Sequence, residues 1–204
     1  MAGNDLVHVV DDDVEVRKSL GFLLATADFA VRLHESATAF LATATDDIDG
    51  CIVTDVRMPG IDGIEFLRQL RARGHRIPVI VMTGHADVAL AVQAMKEGAA
   101  DFIEKPFNDD ILIDAIRSAL DGRNRANAAH PQSAEISGRL STLSDRERQV
   151  LDGLVSGLPN KTIAFDLGIS PRTVEIHRAN VMSKMGASSL SHLVRMALIV
   201  EAKD

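Results

Sequence analysis

The stretch VHVVDDDVEVRKSL, residues 7–20, sets an apolar run against three adjacent carboxylates, Asp11, Asp12 and Asp13, and follows them with Val16, Leu20, Leu23, Leu24 and Ala27 at helical spacing. The run reads as a buried strand and the spacing as a helix, so the acids fall at a strand-to-helix turn. Like charges this close repel, and a buried carboxylate without a partner is costly. Capping accounts for one of them. Asp13, at the helix start, suits the free backbone N–H groups and the positive end of the helix dipole. The other two call for a cation.

Outward from this turn the same unit recurs. LVHVV, FAVRL, CIVTD, PVIVM and ADFIE read as strands, most of them too uniformly apolar for a half-exposed sheet. Helical spacings lie between them, such as Ile64, Leu67, Leu70 and Ile111, Ala115, Ala119. Five strand–helix pairs with short loops predict an α/β fold with a doubly wound, five-stranded parallel sheet. In that architecture ligands bind at the carboxyl ends of the strands, near the point where strand order reverses. Asp11 and Asp12 follow the first strand, Asp55 ends the third, Thr83 ends the fourth, and Lys105 follows the fifth. Three carboxylates and water form a hard oxygen cage suited to Mg²⁺. A Lys and a Thr hydroxyl opposite suit an incoming phosphoryl group, with Asp55 as the candidate nucleophile. Lys105–Pro106 is a candidate cis peptide. Gly60 and Gly63 read as turn residues, Cys51 as core, and His8, His34 and His75 show no ligand spacing.

The chain has 204 residues, room for one large domain or two small ones. A single cysteine excludes a disulfide framework, the start MAGNDL does not resemble a signal peptide, and no apolar run approaches membrane-spanning length. A cytoplasmic location is expected. Residues 1–121 carry 11 Lys and Arg against 21 Asp and Glu, whereas residues 122–204 carry 11 against 8. Only the second part has a basic surplus for nucleic acid. The expected division is a domain over 1–121, a linker over 122–141 with little periodicity, and an all-helical domain over 142–204.

Four helices fit the last part, at roughly 145–155, 160–167, 171–185 and 188–200. Ser144 faces Glu147 as a capping box, Gly168 closes the second helix, and Ser170 with Pro171 starts the third. A short helix, a tight turn and a capped second helix make a helix-turn-helix. Val174, Val181 and Met185 form the inner stripe of its second helix. The outer face carries Arg172, Thr173, Glu175, Arg178, Asn180 and Lys184, a set able to touch bases and phosphates, and His177 joins the candidates. The segment ADVALAVQAMKEG is apolar nearly all round. Val88, Ala91, Val92 and Met95 suffice to cover a sheet, which leaves Leu90 and Ala94 expected on an outer contact face.

The motifs VVDDD, VTDVRMPGIDG, MTGH and DFIEKPF resemble the receiver domain of two-component response regulators. The resemblance implies that Asp12 ligates Mg²⁺ directly, Asp11 through water, and the Arg57 carbonyl as a further ligand. It also implies that Asp55 accepts phosphate from a phosphohistidine on a sensor histidine kinase, that Thr83 and Lys105 hold the phosphoryl group, and that Phe102 is a switch aromatic. SPRTVEIHRANVMSKM resembles the LuxR-type (GerE-like) DNA-binding domain. By that resemblance its third helix enters the major groove of promoter DNA, Asn160 and Lys161 contact phosphates, and the last helix helps dimerise the domain. Within that last helix Leu190, Leu193, Val194, Ala197 and Leu198 recur at helical spacing, which packing inside the domain would equally produce. Glu175 departs from a family pattern in which that site is often basic. The pairing of domains is similar to activators of nitrogen-fixation genes in rhizobia, which implies a phosphorylation-dependent homodimer, RNA polymerase as a partner, and no enzymatic turnover.

Two other readings share the acidic motif. Phosphatases that form aspartyl-phosphates place a second acid two residues after the nucleophile, and Arg57 occupies that position here. A purely structural DNA-binding protein would lack Asp55 or Lys105, and both are present.

Overall fold

The computed structural model describes residues 5–45, 48–84, 88–125 and 130–201, with the side chains of 123–133 and 201 left aside. His85, part of the MTGH motif, lies outside the described residues. Five parallel strands, β1 (Leu6–Val10), β2 (Ala30–His34), β3 (Cys51–Asp55), β4 (Val79–Thr83) and β5 (Asp101–Glu104), form one sheet in the order β2-β1-β3-β4-β5. Between them run α1 (Val14–Thr26), α2 (Ala37–Thr43), α3 (Gly63–Ala72) and α4 (Val88–Lys96), and α5 (Asp109–Arg125) follows β5. The helical end consists of α6 (His130–Leu140), α7 (Asp145–Val155), α8 (Asn160–Leu167), α9 (Pro171–Met185) and α10 (Leu190–Glu201). Among the described residues no helix is long and apolar enough to cross a membrane.

Burial explains the strand sequences. β1, β3 and β4 are covered on both faces, so Val7, Val9, Cys51, Val53, Ile80 and Met82 meet Leu24, Leu112 and Ile116 in one apolar cluster. β2 is an edge strand and mostly exposed, which is why Arg32 and His34 are tolerated in it. Strand order reverses between β1 and β3, which pair in register from Val7–Cys51 to Val10–Thr54. That reversal brings the carboxyl ends of these two strands, and hence Asp11 and Asp55, to one edge.

By their internal contacts the residues form two units, one of residues 1–86 and 97–126, the other of 87–96 and 127–204. The second unit centres on Val150, Leu154, Ile163, Val174, Val181, Met185 and Leu193. Within the stretch 122–141, expected as a linker, α5 continues to Arg125 and α6 covers His130–Leu140. Its Ile136 is buried in the helical core, with Leu140 packed against the same cluster one turn later. The Ala, Ser and Gly around this pair masked its spacing. In α4, Ala94 is fully buried and Leu90 half-buried. Ala94 belongs to the second unit, where Val88 packs on the helical core. Covering such side chains removes apolar surface from water.

Candidate functional site

Asp13 caps α1, its side chain accepting from the backbone N–H groups of Glu15 and Val16. This fixes the turn that carries Asp11. Asp11 is 2% exposed, and its backbone N–H donates to the His34 carbonyl at 3.3 Å. Its Oδ1 accepts the Asp13 N–H at 2.9 Å, and its backbone carbonyl accepts from Arg17 Nη1 at 2.6 Å. Its Oδ2 has no hydrogen-bond partner and lies 3.5 Å from Lys105 Nζ. Burial raises the pKa of Asp11, against the lowering pull of the Asp13 N–H and of Lys105.

Asp55, at the end of β3, holds Lys105 Nζ on Oδ1 at 2.6 Å and the Arg57 N–H on Oδ2 at 2.6 Å. Lys105 is placed from β5, its backbone N–H donating to the Thr83 carbonyl at 2.7 Å, and the peptide to Pro106 is cis. Thr83 is fully buried at the end of β4, and Phe102 in β5 is half-buried. Asp12 is exposed. Gly63 is a site residue that sequence reading assigned only to a turn. Its N–H donates to the Val56 carbonyl, and a Cβ on it would run into the carbonyl oxygen of Asp55. No local signal distinguishes it from Gly60, whose positive φ marks an ordinary turn with open space around it.

Among the described residues no three His, Cys, Asp or Glu side chains converge as a closed metal cluster. Asp11 and Asp55 of the expected cage are nevertheless brought to one cation, the Lys105 ammonium standing against both. The donors still fit a hard divalent cation, because they are carboxylate oxygens and one of them, Asp11 Oδ2, is buried without a hydrogen bond.

In the helical unit, Gly168 closes α8 at φ 65°, and Ser170 caps α9, accepting the Thr173 N–H, with Pro171 in the first turn. Val174, Val181 and Met185 are buried as the spacing required. Arg172, Glu175 and Asn180 are exposed, and Thr173, His177 and Arg178 are half-buried. On α8, Lys161 is exposed and Asn160 is half-buried at the first position. Asn160 Oδ1 and His177 Nδ1 have no hydrogen-bond partner. Lys184, expected at the DNA, is exposed near the end of α9 and carries an ion pair. Its ammonium sits 2.6 Å from Glu147 Oε2 and 3.3 Å from the Thr142 carbonyl. Glu147 is 4% exposed, also accepts the Ser144 N–H, and its carboxyl is pulled down to about 2, chiefly by Lys184. In α10, Leu193, Val194 and Ala197 are buried, whereas Leu190 and Leu198 are half-buried.

Comparison with known proteins follows this division. Residues 7–117 match the response regulator receiver domain, and residues 141–197 match the bacterial regulatory proteins of the luxR family. The chain is 59% identical to the transcriptional regulatory protein FixJ of Rhizobium meliloti, covering 94% of each protein. It is 41% identical to the response regulator protein TmoT of Ectopseudomonas mendocina, over 94% of this chain and 87% of that one. Full-length FixJ from B. japonicum superposes with a TM-score of 0.59 at 49% identity, covering 98% of this chain and 99% of that one. An acidic sheet edge built around one paired aspartate, joined in sequence to a capped helix-turn-helix, is thus found in a chain that belongs to the FixJ-like response regulators, transcription factors with a receiver domain and a LuxR-type DNA-binding domain.

Proposed function

We propose that Asp55 is the phosphoacceptor, charged by a phosphohistidine of a sensor histidine kinase similar to FixL. The observation that supports this most directly is the triangle at the sheet edge. Lys105 holds Asp55 Oδ1 at 2.6 Å, and the unbonded Asp11 Oδ2 lies on the same ammonium at 3.5 Å. In the transfer, a carboxylate oxygen of Asp55 bonds phosphorus as the phosphorus–nitrogen bond of the donor breaks, and the leaving imidazole keeps the electron pair and takes a proton from solvent. Bound Mg²⁺ supplies charge neutralisation for the phosphoryl oxygens. Asp12 and Asp11 with the Arg57 carbonyl would hold it, and Lys105 pairs with the transferred group. Thr83 gives its hydroxyl to the phosphoryl group, and Phe102 fills the space this vacates. Because Arg57 stands where a phosphatase carries its second acid, the pocket has no group to assist repeated turnover. The reading is a stoichiometric switch rather than an enzyme.

Phosphorylation then promotes a homodimer that places two α9 helices on promoter half-sites and engages RNA polymerase, all in the cytoplasm. Arg172, Thr173, Glu175, His177, Arg178 and Asn180 face DNA, with Asn160 and Lys161 on phosphates. The pathway this favours is activation of nitrogen-fixation genes, on the strength of 59% identity to FixJ over nearly the whole chain. Incubation with acetyl phosphate and Mg²⁺, followed by intact-mass and oligomer measurement, tests the assignment. One phosphate per chain and a shift toward dimer are expected, with neither in Asp55→Asn. Labelling of Asp55→Asn at the wild-type rate would overturn it.

A further inference from the structure

We propose that Arg139, on α6, is a positioning residue for the recognition helix α9, and that the segment expected to be a linker is thereby part of the DNA reader. Arg139 Nη1 donates to the carbonyl of Met185, the last residue of α9, at 2.6 Å. That carbonyl is one of the four a helix leaves without an internal partner, and a guanidinium there also offsets the negative end of the dipole. The second arm, Nη2, is held by Glu135 Oε1 at 2.8 Å, so the fork is fixed from its own helix. Ile136, from the same helix, is buried in the cluster that contains Val181 and Met185.

Gly186 lies directly beside this contact. It closes α9 at φ 65°, with its N–H on the carbonyls of Met182 and Ser183. A Cβ at this position would run into Arg139 Nη1. Glycine answers the backbone conformation, and the guanidinium packs in the space its missing side chain leaves. In the same last turn, Lys184 is tied to Glu147 on α7. The carboxyl end of α9 is thus anchored from two helices, while Arg172, Glu175 and Asn180 are left exposed on its outer face. Base readout needs side chains held to within about 0.5 Å of their productive geometry, and an anchored helix end supplies that. α6 precedes the luxR-family match at 141–197, so this support lies ahead of the matched domain.

The inference rests on α9 being the DNA-facing helix, and the experiment separates the two. Full-length protein, treated with acetyl phosphate and Mg²⁺, is titrated over a range of salt. One duplex is enriched by the wild type from a random pool, and a second is unrelated. Arg139→Ala should bind the enriched duplex about tenfold more weakly, from loss of one charge-assisted hydrogen bond. Its affinity for the unrelated duplex and its salt slope should not change, and amide exchange at residues 181–185 should quicken. Arg139→Lys should recover part of the loss. Equal losses on both duplexes with a salt slope lower by about one would make Arg139 a phosphate contact and overturn the proposal. So would unchanged preference for the enriched duplex. If Arg139→Ala fails to fold, Arg139→Gln decides: a reduced ratio of enriched to unrelated binding supports positioning, and an unchanged ratio refutes it. A wild type that enriches no duplex would instead sink the DNA-facing assignment of α9.

Discussion

Asp11→Asn should stabilise the receiver in the absence of divalent cations and cancel the stabilisation that Mg²⁺ gives the wild type. The wild-type carboxylate is 2% exposed, its Oδ2 has no hydrogen bond, and burial is the main cause of its raised pKa. A buried polar oxygen without a partner costs about 1–3 kcal/mol. Lys105, 3.5 Å away, offsets part of that. Replacement by a neutral amide should therefore gain about 1 kcal/mol, or about 5 °C in the unfolding midpoint of a domain of this size. The pH dependence has a definite sign. A carboxylate whose native pKa is raised above its ordinary 3.8 destabilises the fold when ionised, and that penalty fades as pH falls through the raised value toward 3.8. The gap between variant and wild type in EDTA should be fully open at pH 7 and should close on acidification. With Mg²⁺ at about tenfold its dissociation constant the wild type should gain about 1.4 kcal/mol, and the variant much less. The chain has no Trp or Tyr, so the assay is circular dichroism or calorimetry rather than fluorescence. A variant less stable than the wild type in EDTA at pH 7 would refute the account of a carboxylate kept at a cost for a cation.

Gly63→Ala should cost about 2 kcal/mol and slow phosphorylation by acetyl phosphate, because the added methyl meets the Asp55 carbonyl; Gly60→Ala, with open space around it, should leave the phosphorylation rate unchanged. In the helical unit, Glu147 is held at about 2 by Lys184, a depressed carboxylate whose stabilisation is present above pH 4.5 and is lost as pH falls through about 2. Glu147→Gln should flatten this part of the acid-unfolding curve. Cys51 is buried and its thiol is pushed up to about 12, so a thiol reagent at pH 8 should react only on unfolding, with the same midpoint as the dichroism signal. Arg178→Ala should cost about 1–3 kcal/mol on an enriched duplex while largely sparing an unrelated one, measured by competition binding.

The sheet was legible because its inner strands are buried on both faces, and a run such as Cys51, Ile52 and Val53 has no polar alternative. The acidic edge was legible because a parallel sheet sends the ends of β1, β3, β4 and β5 to one place, so sequence position alone nominated Asp11, Asp55, Thr83 and Lys105. What stayed hidden depends on distances across the chain. Among the described side chains of 134–140, Ile136 is buried between small and polar residues, and Arg139 reaches a carbonyl 46 residues away. The ion pair of Lys184 was hidden because its partner, Glu147, lies 37 residues earlier. Leu90 and Ala94 looked like an outer face because helical spacing shows only that a side is apolar, not what covers it.

Asp11 and Glu147 show why composition and motif cannot by themselves separate a working carboxylate from a structural one. Both are buried, both meet a lysine, and both stand beside the start of a helix. Their oxygens are used differently. Glu147 Oε2 takes the Lys184 ammonium at 2.6 Å, the Ser144 N–H at 2.8 Å and the Ser144 hydroxyl at 3.0 Å, and its pKa falls. Each of these contacts favours the ion, and all of them fall on one oxygen. Asp11 spends Oδ1 on the turn and leaves Oδ2 without a hydrogen bond, with its lysine at 3.5 Å and nearer to Asp55, and its pKa rises. An ionised group whose burial is incompletely compensated has interaction energy to give to a cation that a saturated one has already used. A buried oxygen left without a hydrogen bond, rather than burial or charge alone, is what separates the acid that can recruit a cation from the acid that holds two helices together.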